Sequence, residues 1–587
     1  MNDSDIVAAV GYFSPFDYSV FVLILSCSVA IGVYFAFFSN KTTEDYLAGG
    51  HKMKSFPIGV SLVASQITTV SIISIPVEVY SFGWQYMLVI PTIVFVALAI
   101  NFFVLPVYYE NKIDNCYVYL ELRFGKAIRK FVTIIYIVDQ LLYLPVVMFI
   151  PSLTFVEVTK QNIHVVNTVI ACVCIVYTML GGIQAVVWTD VLQGFIMLSS
   201  VVIVNWFGVS DVGGLGEVWN RAVDGDRIFP PNFTLDLVTR TTFWNTVSSL
   251  FILWLGNVAF SQSCVQRLTS LPSVRAAQKS MLILIFGVAF LMMSTCGTGI
   301  IMYAYYYNCD PVKAHIVSKY DKLTPRFVQD TTGHITGMLG VFISCVFSAS
   351  LSTVSAALHS LSGIFYNDYI RPRKWFVHTD ARANFTMRLI VILIGVFCIL
   401  SGVIVDKFQS VFQMAVTLAS MGIGAIFGAF SLGMLYPSSN KYGVFSGMII
   451  SMVTVVSLVI NTQYNIAQGK LRYDILPTRT DGCNGTIELA SQTPIQKPSD
   501  GFALYKIAFQ WYPVIGVLIT WISAILISHL TGGQDLTNLN TQLLSPCIRK
   551  LIPKKYRDDQ SNSMENSDKA PANEEMKPTL SNSKVDC

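Results

Sequence analysis

Ser61-Leu62-Val63-Ala64-Ser65-Gln66-Ile67-Thr68-Thr69-Val70-Ser71 lies inside an otherwise apolar run at 56–80. Six of these eleven residues are polar. At about 3.6 residues per turn they cover most of a helix circumference, so one packed face cannot hide them all. Helix packing through small residues would use the serines, but Gln66 is too large for that role. The stretch reads instead as an interrupted helix whose freed carbonyls line a cavity.

Such a helix needs lipid around it, and the composition agrees. Of 587 residues, 53% are hydrophobic and 13% are charged, where a soluble protein averages about 25% charged. A soluble chain of this length would form about four domains, and this charge cannot coat them. Thirty-nine Lys+Arg against 35 Asp+Glu give +4, too balanced for a nucleic-acid binder. Twelve Cys do not make a disulfide scaffold in so long a chain. Partners of this class are lipid, ions and small solutes.

Apolar runs lie at 18–38, 56–80, 84–107, 131–156, 163–180, 187–208, 243–262, 280–306, 336–366, 387–405, 409–435, 443–461 and 507–530. About 20 apolar residues cross a bilayer, so the chain is expected to be an all-α polytopic membrane protein with 13 spans. The domain plan is an outer N-terminus at 1–17, a membrane domain at 18–530 and a disordered cytoplasmic tail at 531–587, rich in Ser, Asn, Glu, Lys and Pro.

Loop charges set the expected orientation. Asp3, Asp5 and Asp17 precede the first run, and Lys41, Lys52 and Lys54 follow it. Arg267, Arg275 and Lys279 fall in one expected inner loop, and Arg371, Arg373, Lys374 and Arg382 in another. The positive-inside rule then puts the N-terminus outside and the C-terminus in the cytoplasm of a plasma-membrane protein. The sequons at Asn232 and Asn484 fall in expected outer loops and are candidate glycosylation sites; Asn384 falls inside. Cys309 and Cys483 also fall outside, where a disulfide persists. Spacing does not show whether they pair or stay free.

Chemistry-bearing motifs are scarce. The phosphate loop Gly-x4-Gly-Lys-Ser/Thr, His-Glu-x-x-His and Cys-x-x-Cys are missing from the sequence. No enzyme and no cofactor beyond a coupling ion are expected. The ninth run carries a second polar island, Ser344 to Ser355. Ser348, Ser352 and Ser355 share a face at i, i+4 and i+7, and Thr353 flanks it. A hard cation such as Na+ prefers oxygen ligands, and hydroxyls with freed carbonyls supply them without a fixed charge. A Ser-rich packing face is the competing reading.

Three further stretches carry a resemblance. They are Gly181-Gly182-Ile183-Gln184-Ala185 running into Trp188-Thr189-Asp190-Val191-Leu192-Gln193, then Val265-Gln266-Arg267, then Ala349-Ser350-Leu351-Ser352-Thr353. With them the chain resembles the sodium/solute symporters over roughly 15–530. The resemblance implies a LeuT-type fold: two inverted five-helix repeats, near 56–208 and 243–435, around a site built by broken helices. It implies carbonyl ligands for Na+ from Ala64, Ile67 and Ala349, and hydroxyl ligands from Ser352 and Thr353. Asp190 would stand near the inner exit and attract departing Na+; the alternative is a carboxylate paired with a nearby base.

Within that family, Ile75-Pro76-Val77-Glu78-Val79-Tyr80-Ser81-Phe82-Gly83 resembles the monocarboxylate, iodide and multivitamin branch. The expected activity is Na+-coupled import of a small organic monoanion by alternating access. The alternatives are an iodide-type anion, a solute such as a sugar, inositol or choline, or a solute sensor or channel. Candidate substrate donors are Gln66, Thr68, Thr69, Tyr143 and Asn257. No acidic residue is expected beside an anion, and the spans show no evident Lys or Arg counter-charge. Asp139, an acid in the fourth run, departs from the branch pattern.

Overall fold

The computed structural model describes residues 13–38, 42–159, 161–373, 379–405, 411–468, 473, 475–483, 507–536 and 539–551. Among them there is no strand, as a lipid-exposed backbone demands: a helix satisfies its own amides and carbonyls. The principal helices are α1 Pro15–Phe38, α2 Ser55–Gln66, α3 Thr69–Phe82, α4 Trp84–Glu110, α5 Cys116–Phe124 and α6 Lys126–Thr159. Next come α7 Ile163–Met179, α8 Gly182–Val212, α9 Phe243–Ala259, α10 Gln262–Thr269 and α11 Val274–Tyr305. The last are α12 Met338–Ile364, α13 Asp380–Val405, α14 Val411–Leu435, α15 Lys441–Ala467 and α16 Tyr512–Leu530.

Among the described residues ten helices are long and apolar enough to cross a membrane, or 12 if each of two bent pairs counts as one span. The expected count of 13 is therefore not reached by length. The difference is α7, a shorter apolar helix covering the run at 163–180. It runs into α8 through Gly182, at φ 59 and ψ −164. Only glycine takes that backbone without strain, which accounts for the Gly181-Gly182 pair.

The two bent pairs hold the centre. The axes of α2 and α3 differ by 53° across Ile67-Thr68, and those of α9 and α10 by 52° across Phe260-Ser261. Each pair stands first in a run of five spans: α2/α3 with α4, α6, α7 and α8, then α9/α10 with α11, α12, α13 and α14. The second bend corrects the sequence reading. Val265-Gln266-Arg267 does not form an inner loop; it forms a buried half-helix, with Val265 1% and Arg267 2% exposed. Its polar residues hid it from a hydropathy reading. Gln262 spans Asp114 O and Cys116 N, and Gln266 Nε2 donates to Leu47 O at 2.6 Å, so the polarity is satisfied inside the protein.

α12 is the most enclosed span, with 89% of its apolar window buried. Its Ser and Ala residues let neighbours approach closely. Ser350 Oγ donates to Val147 O and Tyr177 Oη to Leu351 O, both at 2.9 Å. These bonds lock α12 against α6 and α7. It also contacts α2 and α3 across their break.

One boundary of the tail needs correction. Residues 539–551, expected to be disordered, are folded against the bundle. Leu539, Leu543 and Leu544 are buried, Tyr119 Oη donates to Leu543 O at 3.1 Å, and Arg549 pairs with Glu110 at 2.5 Å. Their leucines give this segment enough apolar surface to dock. The remainder, 552–587, lies outside the described residues.

Candidate functional site

A broken helix leaves carbonyls without intrahelical partners. At the first break Ile67 leaves the helix at φ −87 and ψ 98, and Thr68 is extended at φ −88 and ψ 172. Ile67 N–H still reaches Val63 O at 3.0 Å. The carbonyls of Ala64 and Ser65 are met from across the bundle. Ser352 Oγ donates to Ala64 O at 2.9 Å, and Thr353 Oγ1 to Ser65 O at 3.1 Å. Both hydroxyls also contact Ala349 O, at 3.3 and 3.0 Å. Three carbonyl and two hydroxyl oxygens thus gather where two helices cross. Ala64, Ile67, Ala349 and Ser352 are all fully buried. Of the expected residues, Ala64, Ala349, Ser352 and Thr353 meet here, Ser65 O joins them, and Ile67 stands at the break with its N–H on Val63 O. The Ser65 carbonyl was not singled out because a sequence shows side chains, not the direction of a freed carbonyl.

Thr353 also faces a cavity of about 180 Å³ bounded by α2, α3, α4, α6, α9, α12 and α14. Gln66, Thr68, Tyr143 and Asn257 line it, as do Trp254 and Tyr86. Thr69, the fifth expected donor, does not. It is fully buried and donates to Val346 O at 3.4 Å, because the first turn of α3 rotates it toward α12. Gln66 Nε2 contacts Cys264 Sγ at 3.0 Å, so the two broken helices touch beside the cavity.

The charges differ from the sequence reading in two respects. First, arginines do act as buried counter-charges. Arg267 on α10 faces Asp190 Oδ2 at 3.1 Å, with 2% and 0% of the two side chains exposed. Arg267 Nη1 also donates to Ser61 O at 3.0 Å and Ser65 Oγ at 2.7 Å, while Ser61 Oγ donates to Asp190 Oδ2 at 2.7 Å. Asp190 is therefore sealed behind α2 and paired with a base; it does not line the cavity. Arg240 likewise grips Glu78 at 2.8 Å under the ring of Phe82. These pairs join residues 77 and 162 positions apart, which no local pattern reveals.

Second, the cavity wall contains an acid. Asp139 is the one charged residue that lines it among the described residues. This overturns the expectation of a pocket free of acids.

Outside the spans, the Cys309 and Cys483 sulfurs are bonded, with Cα atoms 5.0 Å apart. Asn232 is half-buried in a loop, its Oδ1 accepting from Thr234 N at 3.0 Å. Asn484 lies outside the described residues.

A model of the "Sodium:solute symporter family" matches residues 46–451. The sodium-coupled monocarboxylate transporter 2 of Mus musculus is 32% identical over 560 residues, covering 93% of this chain and 89% of that relative. The sodium-coupled monocarboxylate transporter 1 of Homo sapiens is 31% identical over 555 residues, covering 90% and 89%. Among solved structures, a substrate-bound, outward-open Na+-coupled sialic acid symporter superposes with a TM-score of 0.73 at 21% identity, covering 89% of this chain and 99% of that one. The shared backbone path is that of the LeuT-type fold.

Proposed function

The chain belongs to the sodium:solute symporter family, and we propose that it imports a small organic monoanion, a monocarboxylate or vitamin-like carboxylate, across the plasma membrane. It is a multi-pass Na+-coupled symporter and not an enzyme. One observation carries the proposal: the oxygens at the first break adjoin the substrate cavity through Thr353. Now the two hydroxyls cap the freed carbonyls. Arriving Na+ would take carbonyl and hydroxyl oxygens together, as hard cations do. The ion would then fix α2 against α12 and order Gln66 and Thr68 beside the cavity. Substrate would complete the wall between α6 and α9, permitting inward opening, and Na+ would leave toward its low internal concentration.

Energetics set the stoichiometry. A tenfold Na+ gradient is worth about 1.4 kcal/mol, and about 60 mV adds roughly 1.4 kcal/mol per charge. One Na+ with a monoanion keeps only the chemical part, enough for about tenfold accumulation. Two Na+ supply about 4.2 kcal/mol net, near a thousandfold. At least two Na+ per monoanion follow, and uptake carries inward current. The N-terminus would face outward and the C-terminus the cytoplasm, the orientation that loop charge favours.

The test is Na+-dependent uptake in voltage-clamped cells, screening lactate, butyrate, nicotinate, pantothenate, biotin, iodide and glucose. Accumulation of a carboxylate with net inward charge supports the proposal. Electroneutral uptake overturns the stoichiometry, and uptake of glucose alone overturns the substrate class.

A further inference from the structure

Three span carboxylates, Glu78, Asp190 and Asp368, each face an arginine. Among the described residues Asp139 faces none. Its Oδ1 has no hydrogen-bond partner, and its Oδ2 has only Gln140 Nε2 at 3.5 Å, the outer limit of a hydrogen bond. A carboxylate at membrane depth is costly unless something compensates it, and no side chain among the described residues does.

Its position says where compensation comes from. Asp139 lies on α6 one helical turn before Tyr143, so the two share a face, and both line the substrate cavity. Across from Asp139, α14 brings Gly422 close: a Cβ there would stand 3.6 Å from Oδ1. Among the described residues no Lys, Arg or His lines the cavity. Trp254, Tyr86 and Tyr143 also line the cavity, and aromatic faces tolerate a cation and give an anion nothing. A monoanion alone would meet one like charge and no opposite one, which is repulsive at low dielectric.

We propose that Asp139 holds a monovalent positive charge inside the substrate cavity, at the same time as the substrate carboxylate. Two sources share this chemistry: a second Na+ beside the substrate, or a cationic group on the substrate itself. Either balances Asp139, and the first would be the second coupling ion of the stoichiometry proposed above. The inference rests on reading this cavity as the substrate path.

The purified full-length protein tests it by counting radioactive Na+ bound per chain at saturation. D139N should bind one Na+ fewer than wild type if the charge is Na+. If the charge belongs to the substrate, the counts match, but betaine or β-alanine shifts tryptophan fluorescence at least tenfold less tightly in D139N, while lactate binds no more weakly than in wild type. Equal counts with equal betaine and lactate responses overturn the proposal. Should D139N fail to fold, wild type is labelled with a water-soluble carbodiimide and mapped by mass spectrometry. With the reagent in large excess, Na+ or betaine should slow modification of Asp139 at least threefold relative to buffer free of both, and no protection by either overturns the proposal. Na+ counting needs no transport, so a failure to carry any of the carboxylates screened above would sink the monoanion reading and leave the Na+ count in D139N to decide the charge at Asp139.

Discussion

The two broken helices bend by nearly the same angle and end differently. At the first break, Ala64 O and Ser65 O receive two hydroxyls from neighbouring residues of one helix, Ser352 and Thr353. At the second, Ala259 O receives the hydroxyl of Tyr108 at 2.9 Å, and Phe260 O the thiol of Cys116 at 3.7 Å, from two elements. At each break two carbonyls find such partners, as a buried backbone favours. Only the first gathers several oxygens from two helices beside a cavity. The lesson is that a break alone does not make an ion site; the type and clustering of the groups that cap it do.

Arg267 is where the comparison can be broken hardest. It sits on α10, past the second break, yet its guanidinium bonds Ser61 O and Ser65 Oγ on α2 and faces Asp190 on α8. Arg267→Met leaves Asp190 a buried charge without its partner, a loss of about 3–5 kcal/mol. Thermal unfolding in detergent and surface expression should both fall sharply. Adding Asp190→Asn should recover most of the loss, because the pair then departs together. A stable single variant would show that the two breaks are not joined through this arginine.

Next in size are Ser352→Ala and Thr353→Ala. Each removes one oxygen from the first break, and a hydrogen bond or ligand to an ion is worth about 1.5–3 kcal/mol. Half-saturating Na+ should rise about tenfold or more in each, with expression unchanged. The measurement is substrate-induced current against Na+ concentration. Unchanged Na+ dependence in both would remove the distinction between the breaks.

How far these features could be read in advance follows from what was polar where. The first break was visible because Gln66, Thr68 and Thr69 interrupt an apolar run, and a helix cannot hide them on one face. The second was not, because Ser261-Gln262-Ser263 and Gln266-Arg267 look like a loop once the apolar run ends near 260. Gln262, Gln266 and Arg267 are buried because Asp114, Cys116, Leu47 and Asp190 meet them. Ser352 and Thr353 could be read from spacing and resemblance. Thr69 and Thr68 are adjacent in the chain but face opposite ways, since a turn of helix starts between them. Asp139 was legible as an anomaly, and its lack of a partner only as geometry.

The smallest effect is the sharpest control. Tyr108→Phe removes the hydroxyl that caps Ala259 O and leaves the ring in place. Tyr108 is 2% exposed, so the carbonyl loses its bond with no water to replace it, a cost of about 1 kcal/mol. Thermal stability should drop by that amount. Half-saturating Na+ should stay within about twofold of wild type, since this cap belongs to the break that gathers no ion ligands. A Tyr108→Phe variant with the same tenfold Na+ shift as Thr353→Ala would mean that either break, once uncapped, loosens the site equally. The clustering of hydroxyls on α12 would then no longer explain where Na+ binds.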